Sequence, residues 1–144
     1  MIRKRVYIAG AISHGILEDN IKKALHVGRL LIEAGFAPLV PHLTCFFGYG
    51  TETGVPSVQA GFDASVWYAV DMAWLQSAEC LVRIPGKSYG ADLEVAEAKR
   101  LGIPVVTYVN HYIGLEVERV LEEKAGTREP FLDRLNKSAE VGIA

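Results

Sequence analysis

The fold of this chain is decided by residues 80–109, which read CLVRIPGKSYGADLEVAEAKRLGIPVVTYV. The apolar run at 80–84 predicts a buried strand, and the Pro/Gly-rich stretch at 85–90 predicts a turn. Residues 91–101 predict a helix, which a glycine ends before a second apolar strand at 103–109. A strand, a helix and another strand in this order are typical of a parallel α/β sheet.

One carboxylate lies on the apolar face of the helix predicted at 91–101. At 100° per residue, Ala91, Val95, Ala98 and Leu101 share a face, and Glu94 falls inside it. The first turn of such a helix lies beside the carboxyl ends of the strands, where open α/β sheets bind ligands. Because a buried carboxylate is costly unless it is paired or used, Glu94 is a candidate functional group.

The same alternation of strands and helices runs along the rest of the chain. Further strands are predicted at 5–10 and at 36–41, the second flanked by prolines as edge strands often are. Further helices are predicted from a cap at Asp19 or Asn20 to Gly35, at about 63–77 and at about 113–124. Residues 42–62 form a long connection of the kind that serves as a lid or binding loop.

This pattern predicts an α/β fold. We expect a single doubly wound domain with a parallel, flavodoxin- or Rossmann-like sheet of four to five strands. The domain is expected at residues 1–126, and a C-terminal tail at 127–144 with a short amphipathic helix around Phe131, Leu132 and Leu135.

Composition excludes several classes of function. The 144 residues are 50% hydrophobic with a formal net charge of −2, unlike a disordered chain or a basic nucleic-acid-binding protein. No apolar run has the length of a membrane span, and the basic N-terminus leads directly into a strand without a signal-peptide core. The four histidines lack metal-ligand spacing, so no metal is expected. We therefore expect a cytoplasmic protein with no nucleic-acid or membrane partner.

A second carboxylate, Asp71, breaks the apolar face of the helix at 63–77. Its neighbours three and four positions away are all aromatic or apolar: Trp67, Tyr68, Trp74 and Leu75. Glycosidic bond cleavage uses such a carboxyl pair, one ionised at the anomeric carbon and one handling the proton. Glu94, near a helix N-terminus, is expected to be ionised, and Asp71, among aromatics, to be protonated. The alternative is that both are structural core carboxylates, paired for example with Arg83.

Polar groups in three loops are candidate ligand contacts. His14 and His42 lie in the loops after the first and second strands and can reach a ligand, although solvent exposure is the simpler role. Ser13 can help to bind a phosphate, or it only turns the loop. Lys87, Ser88 and Gly90 place a cation, a hydroxyl and backbone N–H groups at a helix N-terminus, which suits a phosphate. The alternative is that Ser88 only caps the helix.

Five segments follow one another along the chain: Val6-Tyr7-Ile8-Ala9-Gly10, Pro41-His42-Leu43, the Trp67-to-Leu75 helix with Asp71, Ser88-x-Gly90-x-x-x-Glu94-x-x-x-Ala98, and Gly102-Ile103-Pro104-Val105. In this order, they resemble the nucleoside 2-deoxyribosyltransferase superfamily, which includes the 2′-deoxynucleoside 5′-phosphate N-hydrolases. The resemblance covers about residues 5–110 and is greatest to a branch of short phage- and bacteria-type proteins.

The resemblance implies a role for each matching residue. Glu94 matches the glutamate that attacks C1′ of the deoxyribose, and Tyr7 matches the tyrosine that orients it. Asp71 matches the aspartate near the base and sugar, while Ser88 and Gly90 match the loop at the 5′ side of the sugar.

Gly10, Ser13 and His42 complete the expected substrate contacts. The expected function is cleavage or transfer of the N-glycosidic bond of a 2′-deoxynucleoside or its 5′-monophosphate, without metal or organic cofactor. The alternative is a non-catalytic nucleotide-binding or sensing module. Because related sites are completed by a neighbouring subunit, we expect a homodimer or higher oligomer with residues 42–62 or 63–77 at the interface.

Overall fold

Strands and helices alternate through residues 2–128, the part of the chain that the computed structural model describes. The strands are β1 (Arg5–Ala9), β2 (Ala37–Leu39), β3 (Cys80–Arg83) and β4 (Val105–Thr107). The helices are α1 (Leu17–Glu33), α2 (Ala64–Gln76), α3 (Tyr89–Arg100) and α4 (Ile113–Arg128). A 3₁₀ helix, Pro41–Gly50, lies between β2 and α2.

The four strands form one parallel sheet in the order β2-β1-β3-β4. β1 therefore lies inside the sheet, and within the described residues β2 and β4 are its edges. The predicted doubly wound α/β fold is confirmed, and so is the edge position of the proline-containing strand β2.

Alternation along β1 divides the core into two layers. Val6 and Ile8 pack on the side of α1 and α4, whereas Tyr7 and Ala9 pack on the side of α2 and α3 with residues such as Leu75. Successive side chains of a strand point to opposite faces of the sheet, so this register directs the Tyr7 ring toward the helix that carries Glu94.

The N-termini of the helices differ in how they are capped. Asp63 caps α2 by accepting hydrogen bonds from the backbone N–H groups of Ser65 and Val66, and the Ser88 hydroxyl caps α3 by accepting from Ala91. These side chains supply acceptors that first-turn N–H groups otherwise lack.

The prediction of an α1 cap at Asp19 or Asn20 was wrong. Helix α1 begins at Leu17, with Ile16 at the N-cap and no side-chain cap. The Asn20 amide instead donates to the carbonyl oxygens of Ile12 and His14, at 3.1 and 2.8 Å. Asn20 thus holds the β1–α1 loop against the helix.

The long connection after β2 is partly ordered as a 3₁₀ helix and packs on α2. The ring of Trp67 on α2 lies 5.9 Å from that of Phe47 and 5.6 Å from that of Phe62. The Trp67 indole N–H also donates to the carbonyl oxygen of Gln59 at 2.6 Å. These aromatic contacts explain how a segment without sequence periodicity takes a defined path.

Helix α4 extends to Arg128, beyond the predicted end at 124. Residues 129–144 lie outside the described residues, and so does the predicted tail helix around Phe131. Within residues 2–128, no helix combines the length and the apolar character needed to cross a bilayer.

Candidate active site

The centre of the candidate site is a hydrogen bond from the Tyr7 hydroxyl to Oε2 of Glu94. Tyr7 lies on β1 and is fully buried, whereas Glu94 lies in the second turn of α3 and is partly exposed. The carboxylate that interrupts the apolar face of α3 is therefore held by the strand tyrosine, and part of the Glu94 residue remains exposed.

Asp71 adds a second carboxylate from α2. It is partly exposed, but its Oδ1 is buried and has no hydrogen-bond partner among the described residues. The Asp71 charge raises the pKa of both Tyr7 and Glu94. The three groups therefore form one electrostatic cluster between β1, α2 and α3. A buried, unpartnered carboxylate oxygen is costly and is a common feature of a site that receives a ligand.

Burial is the largest cause of the raised pKa values of these three groups. It raises the pKa of Glu94 to about 8, with a smaller upward contribution from the Asp71 charge, while the Tyr7 hydrogen bond and Arg83 oppose it. Burial also raises the pKa of Asp71 to about 6. The pKa of Tyr7 is raised by burial and then by the two carboxylates, so its hydroxyl stays a donor.

The expectation that Glu94 is the ionised partner and Asp71 the protonated one was wrong for the unliganded protein, because the pKa of Glu94 is the higher of the two. The helix N-terminus favours an anion only within the first turn, and Glu94 lies beyond it. Desolvation therefore outweighs the helix dipole at this position.

Arg83 does not form an ion pair with Glu94. Its guanidinium pairs with the exposed Asp92 at 3.0 Å and donates to the carbonyl oxygen of Gly86 at 2.9 Å. Arg83 thus ties the β3–α3 loop to the first turn of α3 and influences Glu94 only through space.

Ser88 and Gly90 lie at the start of α3. The Ser88 hydroxyl accepts the N–H of Ala91 at 3.1 Å, which is the capping role that was the alternative to phosphate binding. A Cβ added to Gly90 would meet no atom within 4 Å, so the backbone is approachable there.

Gly10 and His42 belong to a different part of the molecule. They line a cavity of about 340 Å³ on the α1 side of the sheet, to which Lys87 also contributes. A Cβ on Gly10 would lie 3.1 Å from Cβ of Ile84 and 3.5 Å from Nε2 of His42, so glycine keeps this cavity open. Ser13 is exposed and is not among the residues that line it.

A model of the family described as a domain of unknown function, DUF4406, matches residues 4–107. The chain belongs to the DUF4406 family. Tyr7, Asp71 and Glu94 all lie within the matched residues, so the cluster is part of the DUF4406 domain. No curated protein matches the chain.

Among solved structures, this DUF4406 protein is similar to a 2-deoxyribosyltransferase from the psychrotolerant bacterium Bacillus psychrosaccharolyticus. The two sequences are 18% identical, and the TM-score is 0.53. The alignment covers 74% of this chain and 77% of the other chain. At this identity the similarity shows that the two proteins share a fold.

The expected site residues of the DUF4406 domain therefore form two groups, one around Glu94 and one around Gly10 and His42. Lys23, which no sequence motif singled out, lines the second group's cavity from α1. The available signal was its place in the second turn of a helix that follows the glycine exit of β1, at the ligand-binding edge of the sheet.

Proposed function

We propose that this protein cleaves or transfers the N-glycosidic bond of a 2′-deoxynucleoside or its 5′-monophosphate, with Glu94 as the nucleophile. The observation that carries the proposal is the Tyr7–Glu94 hydrogen bond beside the unpartnered oxygen of Asp71. The fold shared with a 2-deoxyribosyltransferase supports it further.

The two carboxyl groups together hold the one proton that this reaction transfers. With pKa values of about 8 for Glu94 and about 6 for Asp71, the pair carries one proton near neutral pH. Because the pKa of Glu94 is the higher, that proton lies mainly on Glu94 in the free protein. The reactive arrangement is the less populated one, with the proton on Asp71 and the charge on Glu94, where the Tyr7 hydroxyl stabilises it.

In the first step, a Glu94 oxygen attacks C1′ and the C1′–N bond breaks. The bonding electrons go to the base, which takes the proton from Asp71. In the second step, water or another base attacks C1′ and gives its proton to Asp71, and the Glu94 carboxylate is released. Apart from the attacking water or acceptor base, this reaction sequence uses only groups of the cluster and the substrate.

The proposal is tested by incubating the protein with a panel of deoxynucleosides and their 5′-monophosphates, with and without an acceptor base, and measuring the released base by chromatography. Release without acceptor defines a hydrolase, and release only with acceptor defines a transferase. Binding without release from any substrate would favour the nucleotide-binding or sensing module and refute the proposed chemistry.

Glu94→Gln is expected to lower the rate by about a thousandfold or more, because the nucleophile is lost while the side chain keeps its shape. Glu97→Gln is the matched control, since Glu97 lies on the same helix but pairs with Arg100. Equal activity of Glu94→Gln and the wild type would exclude Glu94 as the nucleophile.

The homodimer or higher oligomer and the cytoplasmic location expected from the sequence stay predictions. Large exposed aromatic side chains favour an interface at the 3₁₀ helix and the residues that follow it: Phe46, Phe47, Tyr49 and Phe62. Light scattering at micromolar concentration measures the assembly, and a stable monomer would contradict it.

A further inference from the structure

Arg83 is a largely buried arginine at the carboxyl end of a central strand, and the proposed chemistry does not use it. Its side chain is only 13% exposed, whereas most arginine side chains lie in solvent. It follows Leu81 in β3 by two positions, so both side chains lie on the face of the sheet that carries Tyr7. The strand therefore directs a permanent positive charge into the layer that contains Tyr7 and Glu94.

Three acceptors hold the guanidinium group of Arg83 in place. Its Nη1 donates to the carbonyl oxygen of Ile84. Its Nη2 donates to the carbonyl oxygen of Gly86 at 2.9 Å and to Oδ1 of Asp92 at 3.0 Å. Two of these acceptors belong to the β3–α3 loop and the third to the first turn of α3. Because the guanidinium is planar and its donors have fixed directions, these contacts fix the position of its charge relative to α3.

The two members of the Arg83–Asp92 ion pair differ in their exposure. The Asp92 side chain is 73% exposed, so water and salt screen its charge. The Arg83 side chain is largely enclosed by protein, where charges are screened less. Asp92 lies on α3 only two residues before Glu94. The pair therefore presents more positive than negative charge to the interior beside Glu94.

The other groups that act on Glu94 from neighbouring elements are not cationic. Tyr7 on β1 donates its hydroxyl, and Asp71 on α2 contributes a carboxylate. Helix α2 has no basic residue, β4 has no ionisable residue, and the basic residues of α3 lie in its last turn. The remaining ionisable residues of α2 and α3 are Tyr68, Tyr89, Asp92, Glu97, Lys99 and Arg100. Among the described residues, Arg83 is thus the cation whose charge lowers the pKa of Glu94.

Arg83 distinguishes between the two carboxyl groups of the cluster. Its charge opposes the rise in the pKa of Glu94, whereas the pKa of Asp71 is raised by burial without an opposing contribution from Arg83. When two carboxyl groups share a proton, a cation near one of them favours the charged form of that group. The charge of Arg83 therefore favours the reactive arrangement, with the charge on Glu94 and the proton on Asp71.

We propose that Arg83 is a positioning residue, whose charge, held by the β3–α3 loop and Asp92, moves the shared proton from Glu94 toward Asp71. This inference rests on the proposed function, because it assigns Arg83 a part in the same reaction. Asp92 limits the effect, since its carboxylate compensates part of the Arg83 charge. If the ion pair were only a structural clamp, loss of either partner would break the same contact and would change Glu94 in the same direction.

Carbon-13 NMR of the whole protein measures the titration of the Glu94 carboxyl group, whose resonance is assigned by its absence in Glu94→Gln. In Arg83→Gln, the pKa of Glu94 is expected to rise by about half a pH unit, because a cation is lost. In Asp92→Asn, it is expected to fall by about 0.2–0.5 pH unit, because Arg83 is no longer compensated. Arg83→Lys keeps the charge and is expected to titrate nearly as the wild type does.

Arg100→Gln is the matched control. It removes the same charge from the helix that carries Glu94, but Arg100 pairs with Glu97 in the last turn, so the pKa of Glu94 is expected to change by less than about 0.2 pH unit. An equal rise in Arg100→Gln and Arg83→Gln would show a general charge effect and overturn the proposal. Shifts in the same direction in Arg83→Gln and Asp92→Asn would show a structural clamp and overturn it as well.

Asp92→Asn keeps the proposal falsifiable if Arg83→Gln does not fold. The Asp92 side chain is mostly in solvent, so this variant is expected to fold. A pKa of Glu94 that stays unchanged or rises in Asp92→Asn would by itself overturn the proposal.

The rate of base release gives a second measurement. A change of half a pH unit in the pKa of Glu94 changes the population of the reactive arrangement about threefold. Near neutral pH, kcat is therefore expected to fall about threefold in Arg83→Gln and to rise in Asp92→Asn, without a matching change in KM. Opposite shifts of the Glu94 titration without base release from any substrate would refute only the proposed function. Base release with an unshifted Glu94 titration in both variants would refute only this inference.

Discussion

Replacing Glu94 by glutamine is expected to change how stability depends on pH. The pKa of Glu94 rises from 4.5 to about 8 in the native protein, mainly through burial. Between these values the native carboxyl keeps a proton that the unfolded chain has lost. The free energy of unfolding therefore falls as pH rises, and the stabilisation from this proton is lost once pH passes about 8.

Between pH 6.5 and 8, the effect of Glu94 on the free energy of unfolding is largely separate from the effects of two other groups with shifted pKa values. Asp71, with a pKa raised from 3.8 to about 6, acts in the same direction but below that range. His42, with a pKa lowered from 6.5 to about 4, acts in the opposite direction and mainly below that range, with about 0.4 kcal/mol of its effect left between pH 6.5 and 8. At about 1.4 kcal/mol per pH unit, Glu94 alone lowers the wild-type free energy of unfolding by about 2 kcal/mol between pH 6.5 and 8.

Urea unfolding at pH 6.5 and pH 8, followed by tryptophan fluorescence, measures this difference. The loss of about 2 kcal/mol is expected in the wild type and absent in Glu94→Gln. Glu97→Gln is expected to keep the wild-type loss, because the hydrogen bond from Arg100 lowers the pKa of Glu97 and confines its titration to lower pH. The same pH dependence in the wild type and Glu94→Gln would refute the buried protonated carboxyl.

Three further substitutions test single contacts by urea unfolding. Tyr7→Phe removes the donor to Glu94 and is expected to cost about 1–3 kcal/mol at pH 8, and unchanged stability would contradict that hydrogen bond. Gly90→Ala is expected to stabilise the protein by about 0.5–1 kcal/mol, since its Cβ meets open space in a helix, and a loss would show an unseen contact. Gly48→Ala is expected to cost about 1–3 kcal/mol, because a Cβ would overlap the carbonyl oxygen of Val55, and a neutral result would contradict that close approach.

The elements and the core of the site were predictable because they follow from local periodicity. Two-residue alternation in β1 and the 3.6-residue period in α3 point Tyr7 and Glu94 into one layer, and the parallel order of the strands brings them together. The resemblance to deoxyribosyltransferases implied the same pair, and the hydrogen bond between them confirms the contact.

The remaining features depend on tertiary structure that no local pattern contains. Asparagine is a residue type that often caps helices, but the side-chain amide of Asn20 donates hydrogen bonds to the loop carbonyl oxygens of Ile12 and His14. The order of the pKa values of Glu94 and Asp71 depends on burial by neighbouring elements, which sequence spacing does not measure. His42 follows β2 but lies on the α1 side, because the path of the 3₁₀ helix decides its place.

The prolines of the sheet determine which surfaces remain for self-association. In the edge strand β2, the N–H of Ala37 donates to Lys4 of the β1 side, so the next position, Pro38, faces outward and offers no donor to an added strand. The other described edge, β4, has only three residues and follows Pro104, whose carbonyl oxygen already accepts from Leu81. Short edges resist sheet extension, and in β2 one outward donor is missing as well. Two copies of this domain that meet through the described residues are therefore expected to contact through helices and loops rather than through a continuous intermolecular sheet.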